Sequence, residues 1–588
     1  MGLLVKKFGG TSVGTIERIK SIAEAIAAAK EEGNELVIVV SAMGDKTDEL
    51  TKLAKEISAN PNQREMDMLL ASGEQVSIAL LAMALNEIGI PALSMTGSQA
   101  GIITESSHSR ARILEIRTEK LQHLLNEGLV VIIAGFQGTS LGRQGIAEIT
   151  TLGRGGSDTS AVALAAALKA DACEIYTDVQ GVLTSDPRKV SDAQLMENIS
   201  CDEMLELASL GAAVLHPRAV EIARNFGVKL IVRSSWDNNP GTTITSQSVR
   251  SINRGGLEHG RPVDGLELIE EQSVVGLSHI PDQPGVAANL FESLSKGGVN
   301  VDLIIQATHE GNSNDITFTV AQKEFSKALN QCESFIKIYG GKLITQNNMS
   351  KISIHGAGIM GRPGIAANLF ETLSKVGINL RLIATSEVKV SCVIDAEFGK
   401  KALRAISDTF ELNDKQIRIN PEISPNKSPE VRGIALDADQ AQVSVRKVPD
   451  SPGTAAAICT ALAEAGITLD TIVQSERKHL DGSKDISFTL KKNDRKPAQK
   501  ALSALLEKWT NAELKDGPPI ARVSAVGAGM HHTVGTAGKM FRSLANAEIN
   551  IEMIATSEIR TTCIVNADDG DKALKVVHDY FNLAENQY

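Results

Sequence analysis

Over roughly the first 250 residues, short apolar runs alternate with stretches whose apolar positions recur at helical spacing. The runs occupy 3–5, 36–40, 92–95, 130–136, 174–177 and 229–232. Such alternation predicts an α/β domain built on a mostly parallel sheet covered by helices. Ligands collect beyond the carboxyl ends of the strands in sheets of this kind. The residues after each run therefore matter most: Ser41, Ala42 and Met43 with Thr47 close behind, and the stretch 135–139.

Beyond about residue 265 the pattern changes, and then it repeats. Asp282-Gln-Pro-Gly285 returns as Asp450-Ser-Pro-Gly453, and Asp302 and Gln306 return as Asp470 and Gln474, each displaced by 168 positions. A second unit returns after 171: Gly356-Ala-Gly358 as Gly527-Ala-Gly529, Asn379 as Asn550, Thr385-Ser-Glu387 as Thr556-Ser-Glu558, and Cys392 as Cys563. Pro284-Gly285 and Pro363-Gly364 stand 79 apart, as do Asn300 and Asn379. The chain thus carries four related units of about 80 residues in A-B-A-B order. Each reads strand, glycine turn, helix, strand, hairpin partner, helix, as in 273–277, 285–295, 301–306, 315–320 and 323–332, which is the split β-α-β arrangement of ferredoxin-like βαββαβ domains. A solenoid could show such a period, but two unlike units in alternation argue for duplicated two-domain cassettes. The predicted divisions are 1–250, 266–345, 350–420, 441–515 and 520–588. The stretch 421–440, which opens proline-rich and polar, reads as an extended linker, and 248–265 joins the first domain to the repeats.

Length and charge narrow the partners. A chain of 588 residues exceeds one core and suggests about four units. The net charge of -11 leaves no basic footprint for nucleic acid or an anionic membrane, and 3% aromatic residues supply few stacking platforms for single strands. Six cysteines, at 173, 201, 332, 392, 459 and 563, are too far apart for a Cys-x-x-Cys motif and read as reduced, buried small hydrophobes. No leader-like N-terminus and no run of about 18 apolar residues is present, so a cytoplasmic protein is expected.

Two glycine loops carry the chemistry of the first domain. Val5-Lys6-Lys7-Phe8-Gly9-Gly10-Thr11-Ser12-Val13-Gly14 joins an apolar run to a helical pattern beginning about Thr15. Adjacent glycines let backbone amides approach an anion, the helix adds its positive end, and a lysine supplies full charge, which suits a polyphosphate. The lysine precedes the glycines, the reverse of Walker order. The second loop, Thr150-Thr151-Leu152-Gly153-Arg154-Gly155-Gly156-Ser157-Asp158-Thr159, runs into a helix expected over 159–168 and sets an arginine inside an anion nest. Arginine grips a carboxylate with two parallel hydrogen bonds. Asp158 has a plain alternative as a helix cap, and Glu74, beside Ser72-Gly73, has one on a solvated helix face.

Lys7-Phe8-Gly9-Gly10-Thr11-Ser12-Val13, Leu70-Ala-Ser-Gly-Glu74-Gln and the second glycine loop together resemble the signatures of aspartate kinases in the amino-acid kinase family. The resemblance implies ATP at Lys7, Phe8, Gly9, Gly10, Ser12, Thr177, Asp178, Asp186 and Arg188. It implies L-aspartate at Ser41, Thr47, Glu74, Thr151, Arg154 and Ser157, with Glu74 on the ammonium. Catalysis would rest on Lys7 and on Asp158, which orients Lys7 or the metal, and Mg²⁺ would enter with ATP. Leu210 to Glu221 also matches, except that Ala213 stands where many members carry Lys; His216, before Pro217 at a helix start, reads as structural.

The four repeats resemble ACT domains, which bind amino acids where two of them pack edge to edge. By that resemblance Asp282, Gly285, Ala287, Gln306, Asn379 and Leu380 form one effector site, and Asp450, Gly453, Ala455, Gln474, Asn550 and Ile551 its duplicate, for lysine and/or threonine. Edge pairing implies a homo-oligomer, most simply a dimer. Four ACT units depart from the usual two. Gly356-Ala-Gly358-Ile-Met-Gly361 fits the dinucleotide fingerprint, but its duplicate places His532 at the third glycine, which argues against NAD. His531 and His532 have no third ligand nearby in sequence. The rivals are another amino-acid kinase, acting on glutamate, acetylglutamate or a nucleoside monophosphate, and a catalytically silent amino-acid sensor. Fusion to homoserine dehydrogenase is not expected, because the repeats fill the chain to its end.

Overall fold

Residues 36–40 and 130–134 are buried throughout, as befits strands covered on both faces. The computed structural model describes residues 2–142, 145–211, 214–246, 256–258, 262–309, 313–357, 359, 362–421, 428–474, 479, 481–509 and 511–585. Two compact units emerge: Met1–Leu183 with Leu195–Ala208 and Ala213–Arg261, and Thr184–Gln194 with Ser209–Ala212 and Pro262–Tyr588. In the first, an eight-stranded sheet runs in the order Asn198–Ser200, Thr242–Thr245, Leu230–Ser234, Ala172–Thr177, Leu3–Phe8, Glu35–Val40, Val130–Ala134, Ala92–Met95. Every pairing is parallel except that of Leu230–Ser234 with Thr242–Thr245. All six apolar runs of the sequence are strands of this sheet. A second sheet, Ile113–Ile116, Ile102–Thr104, Gln137–Leu141, Ala147–Thr151, went unsignalled because its short strands mix Thr, Ser, Gly and Glu with the apolar residues.

Helices Ile16–Glu31 and Gln63–Glu87 bring Ile19, Ile22, Ile26, Ile78, Leu81 and Leu85 onto the face that shows Leu36, Ile38 and Val40. Gln63–Glu87 is the one described helix long and apolar enough, by length and composition, to cross a membrane, yet Asp67 and Glu74 are among its buried residues. On the face of Val39 lies Gly156–Leu168, whose Ala, Ser and Gly residues are buried on almost every side. A helix apolar all round belongs in a core. All six cysteines are buried and unbridged.

In the second unit, strands are shared between repeats. Gly265–Pro281 pairs through 265–269 with 351–355 and through 272–278 with 342–349, so the first repeat is inserted into the sheet of the second. The register shifts at Ile269/Gln272, where Glu271 has φ 55°, and the opposing strand turns at Asn348, φ 61°. Gly433–Val448 and Glu513–Val526 do the same in the second cassette, with Pro518 and Pro519 near the shift. The expected linker 421–440 is thus corrected: 422–427 lie outside the described residues, and from Gly433 the chain is a strand because its partner at 522–526 requires it.

This interleaving decides which repeats pair. The first and second are joined through their long strands, which leaves Val301–His309 at a free edge, and that edge pairs antiparallel with Met553–Thr556 of the fourth. Their helices Val286–Lys296 and Thr536–Asn546 pack together, with Phe291 and Phe541 rings 5.3 Å apart and Arg542 on Glu292 at 2.6 Å. The second and third repeats meet through helices Ile365–Lys375 and Thr454–Glu464.

Buried charges sit at equivalent positions of the two cassettes. Lys351 and Lys389 are held by Asp302, Glu267 and Glu558, with Lys389 on Glu267 at 2.5 Å. At the positions displaced by 171, Arg522 pairs with Asp437 at 3.1 Å, and Arg560 donates to the Thr385 carbonyl at 2.9 Å. Burial pushes the Glu267 carboxyl up, but His355 and Lys389 outweigh it and hold the group down at about 2.

Phe541→Ala should weaken the pairing of the first and fourth repeats by about 3–5 kcal/mol. Hydrogen exchange should then show lost amide protection along Val301–His309; unchanged protection would mean that the two repeats are stable apart.

Candidate active site

The strand Leu3–Phe8 delivers Lys7 and Lys6 to opposite faces of the sheet. Lys6 is engaged by Glu174 at 3.1 Å, and Tyr176 donates to that carboxylate at 2.9 Å. Lys7, on the other face, meets Asp158 at 2.6 Å, and both are buried. Asp158 stands in the first turn of Gly156–Leu168, a helix that begins three residues earlier than the sequence suggested.

After Phe8 the chain turns through Gly9 and Gly10. The Ser12 amide donates to the Gly9 carbonyl at 3.0 Å, whereas the Gly10 and Thr11 amides find no acceptor among the described residues. A side chain at Gly10 would place its Cβ 2.8 Å from the Ala42 carbonyl, so only glycine fits. Thr15 caps the helix Ile16–Glu31, and Arg18 donates to the Thr11 carbonyl at 2.6 Å while its guanidinium stacks over Trp236. Ser12 is fixed by Ser235 at 2.6 Å. This is a pair of open amides at a helix N-terminus, beside an ammonium.

The loop after Glu35–Val40 lies against it: Ser41 donates its amide to the Phe8 carbonyl and Gly44 its amide to Gly10. Glu74 approaches the same loop from helix Gln63–Glu87. Its Oε1 accepts the Ala42 amide at 3.2 Å, while Oε2 is buried without a partner. Burial pushes the Glu74 carboxyl up to about 7. Ser41 and Thr47 are half-buried, and Thr47 gives its carbonyl to Thr51.

The second glycine loop follows Ala147–Thr151. Thr151 is buried and donates to Asp67 at 2.5 Å. Arg154 is exposed and has no ion-pair partner among the described residues. Gly155 has φ 68°, and a Cβ there would lie 2.4 Å from the His216 ring. His216 caps the helix Pro217–Phe226, accepting the Arg218 amide at 3.3 Å. Ser157 is buried beside Gly135. Sequence reasoning missed two supports here. Arg218 spans Glu258 at 2.7 and 2.8 Å and the carbonyls of Leu152 and Ala111. Asp67 was readable, because a carboxylate stands on the apolar stripe of an amphipathic pattern.

Of the remaining nucleotide candidates, Thr177 ends the strand Ala172–Thr177 and donates to the exposed Asp178 at 3.1 Å. Phe8 stacks on Tyr176 at 4.7 Å. Asp186 and Arg188 grip each other bidentately at 2.9 and 2.8 Å and belong to Thr184–Gln194, which packs with the second unit. Asp178, exposed just past the strand Ala172–Thr177, offers a carboxylate that fits an oxygen-loving cation brought by a nucleotide. Among the described residues, Asp192, His578 and Asp579 form another group of metal-type side chains, in the second unit. Ala213, Gly358 and Gly361 lie outside the described residues.

The effector candidates regroup. Asp282, Gly285, Ala287 and Gln306 do not meet Asn379 and Leu380 but Asn550 and Ile551: Asn550 donates to Asp282 at 2.9 Å and Gln306 to the Ile551 carbonyl at 2.7 Å. Asp450, Gly453, Ala455 and Gln474 meet Asn379 and Leu380, with Asn379 on Asp450 at 2.9 Å and Gln474 on the Leu380 carbonyl at 3.2 Å. The grouping by cassette is corrected because shared strands occupy the edges along which neighbours in sequence would have paired.

A family model described as the amino acid kinase family matches residues 2–234, and models described as ACT domain match 273–334, 352–410, 441–508 and 523–581. An aspartokinase of Bacillus sp. (strain MGA3) is 48% identical over 419 residues, which are 71% of this chain and 99% of the relative. An aspartokinase of Thermus thermophilus is 46% identical over 415 residues, 70% of this chain and 100% of the relative. The solved aspartate kinase from Synechocystis is 50% identical, with a TM-score of 0.86, over 100% of this chain and 99% of its own. The chain therefore belongs to the aspartokinase family, as an ATP-dependent kinase with an amino acid kinase domain followed by ACT domains.

Proposed function

We propose that the protein transfers the γ-phosphoryl group of ATP to the β-carboxylate of L-aspartate, forming 4-phospho-L-aspartate at the head of lysine, threonine and methionine biosynthesis. The observation that carries this reading is Glu74, a buried carboxylate with one oxygen left open. A buried anion of that kind calls for a cation, and the ammonium of an amino acid supplies one. The exposed, unpaired Arg154 suits the α-carboxylate, with Thr151, Ser157, Ser41 and Thr47 completing the substrate set. The kinship with proteins named aspartokinase supports the same substrate.

The nucleophile needs no base, since a β-carboxylate with a reference pKa of about 3.9 is ionised at neutral pH. The barrier is electrostatic: one anion must approach another in line. Open amides at Gly10 and Thr11, together with Lys7, would neutralise the phosphates, and Asp158 holds the Lys7 ammonium in place. Mg²⁺ bound to the triphosphate supplies further neutralisation. Phe8, Gly9, Ser12, Thr177 and Asp178 complete the nucleotide set in the first unit.

The same reading makes 1–250 the catalytic domain and the repeats two regulatory cassettes. Lysine and/or threonine would bind where Asp282 meets Asn550 and where Asp450 meets Asn379, biasing a less active state with a coupling of about 1–3 kcal/mol. The enzyme is read as a cytoplasmic homodimer. The first and fourth repeats pair edge to edge within one chain, so a dimer would not use that edge.

If Glu74 holds the ammonium, kcat/KM for aspartate should fall about tenfold per pH unit below about 7, where the carboxyl is protonated in the free enzyme. Glu74→Gln should remove that acid limb, and a limb that survives would overturn the role. Lys7→Ala should lower kcat more than it raises the aspartate KM, whereas Arg154→Lys should weaken aspartate with ATP little affected. Calorimetry with lysine and threonine should show Asp282→Ala and Asn550→Ala losing one binding event together, and Asp450→Ala and Asn379→Ala another. Losses paired by cassette would contradict the regrouped sites.

A further inference from the structure

Helix Gln63–Glu87 carries two buried carboxylates seven positions apart, Asp67 and Glu74, which two turns place on one face about 10 Å apart along the axis. Glu74 serves the loop after Glu35–Val40. Asp67, with 0% exposure, serves a different pair of segments. It accepts from Thr151 Oγ1 at 2.5 Å, from the Ser109 amide at 3.0 and 3.1 Å, and from His108 Nδ1 at 2.7 Å. A carboxylate that draws donors from two segments ties them together.

The two segments bracket the loop that presents Arg154. Ser109 has φ 66°, a conformation serine resists, and it is held there through its own amide by Asp67. Its carbonyl lies against Gly153, where an added Cβ would stand 3.0 Å away. Thr151 lies two residues ahead of Gly153, and its carbonyl accepts the Ala111 amide at 2.9 Å. His108 carries the tether outward, with Nε2 3.5 Å from Glu148 on the strand Ala147–Thr151. Asp67 touches neither Arg154 nor Glu74, yet it holds Thr151, just ahead of the turn from which Arg154 projects, and Ser109, whose carbonyl packs on that turn at Gly153.

We propose that Asp67 is a positioning residue that fixes the distance between the ammonium-binding and carboxylate-binding halves of the substrate site, with one helix face as the ruler. The proposal rests on the aspartate-kinase reading. It separates Asp67 from the nucleotide loop, which is built on Leu3–Phe8 and makes no bond to it among those described.

Steady-state kinetics test this. Asp67→Asn keeps the volume but lacks the charge that accepts these three donors, so the aspartate KM should rise about tenfold or more while the ATP KM stays within about twofold. Ser109→Gly in the Asp67→Asn background should bring the aspartate KM back toward wild type, because glycine takes a positive φ unaided; a loosened fold would not be rescued this way. An aspartate KM within about twofold of wild type, or equal rises for both substrates, would overturn the proposal. Should Asp67→Asn not fold, Ser109→Val, which opposes positive φ, must raise the aspartate KM with the ATP KM unchanged, and no rise again overturns it. Wild-type turnover read in the same assay separates the two claims: no product from aspartate refutes the substrate assignment, while turnover with unchanged variant KM refutes only the role of Asp67.

Discussion

The ion pair between Lys7 and Asp158 is the constraint on which the first unit depends. An ammonium this buried is tolerated only with a partner, and removing one member of such a pair costs about 3–5 kcal/mol. Both charges therefore have to stand on rigid elements. Lys7 stands one residue before the end of a central strand of the sheet, flanked on both sides by parallel neighbours, and Asp158 lies in the first turn of a helix so rich in small residues that it can press onto those strands. The glycine loop closes over the pair, and the tight approach of Gly10 to the Ala42 carbonyl sets the loop carrying Ser41 beside it. The glycine loop beside Lys7 and the loop that carries Ser41 and Ala42 are thus placed side by side by one packing arrangement.

Much of this was legible in the chain. Lys7, the glycines and Asp158 lie in contiguous motifs whose order of strand, turn and helix can be read locally, and the six apolar runs became the strands they implied. What escaped was whatever depends on long-range closure. Asp67 and Thr151 are 84 positions apart and Arg218 and Glu258 are 40 apart, so no local pattern shows that they meet. The second sheet of the first unit hid for another reason: its strands are short and polar, and their pairing comes from packing on helix Gln63–Glu87, where Gln137 donates to the Ala71 carbonyl.

The repeats teach a related lesson. Counting displacements revealed four units, but it set Asp282 and Gln306 with Asn379, whereas in the structure they meet Asn550 and Ile551. The choice of partner could not be read, since it follows from irregularities near Glu271 and Asn348 that let a single strand serve two repeats. Once the long strands are shared, the free edges left over belong to different cassettes. Lys351 and Lys389, or Arg522 and Arg560 at equivalent positions, then bury charge where repeats adjoin. A buried charge tolerates little misplacement, so such nodes favour one arrangement of the four repeats over alternatives in register.

The central claim, that a cationic cradle at the head of the sheet directs phosphoryl transfer to an aspartate carboxylate, is tested most directly by trapping the product. Incubated with ATP, Mg²⁺ and hydroxylamine, the purified protein should yield hydroxamate with L-aspartate and none above background with L-glutamate. Equal yields with both acids, or none with aspartate while ATP is consumed, would contradict the account.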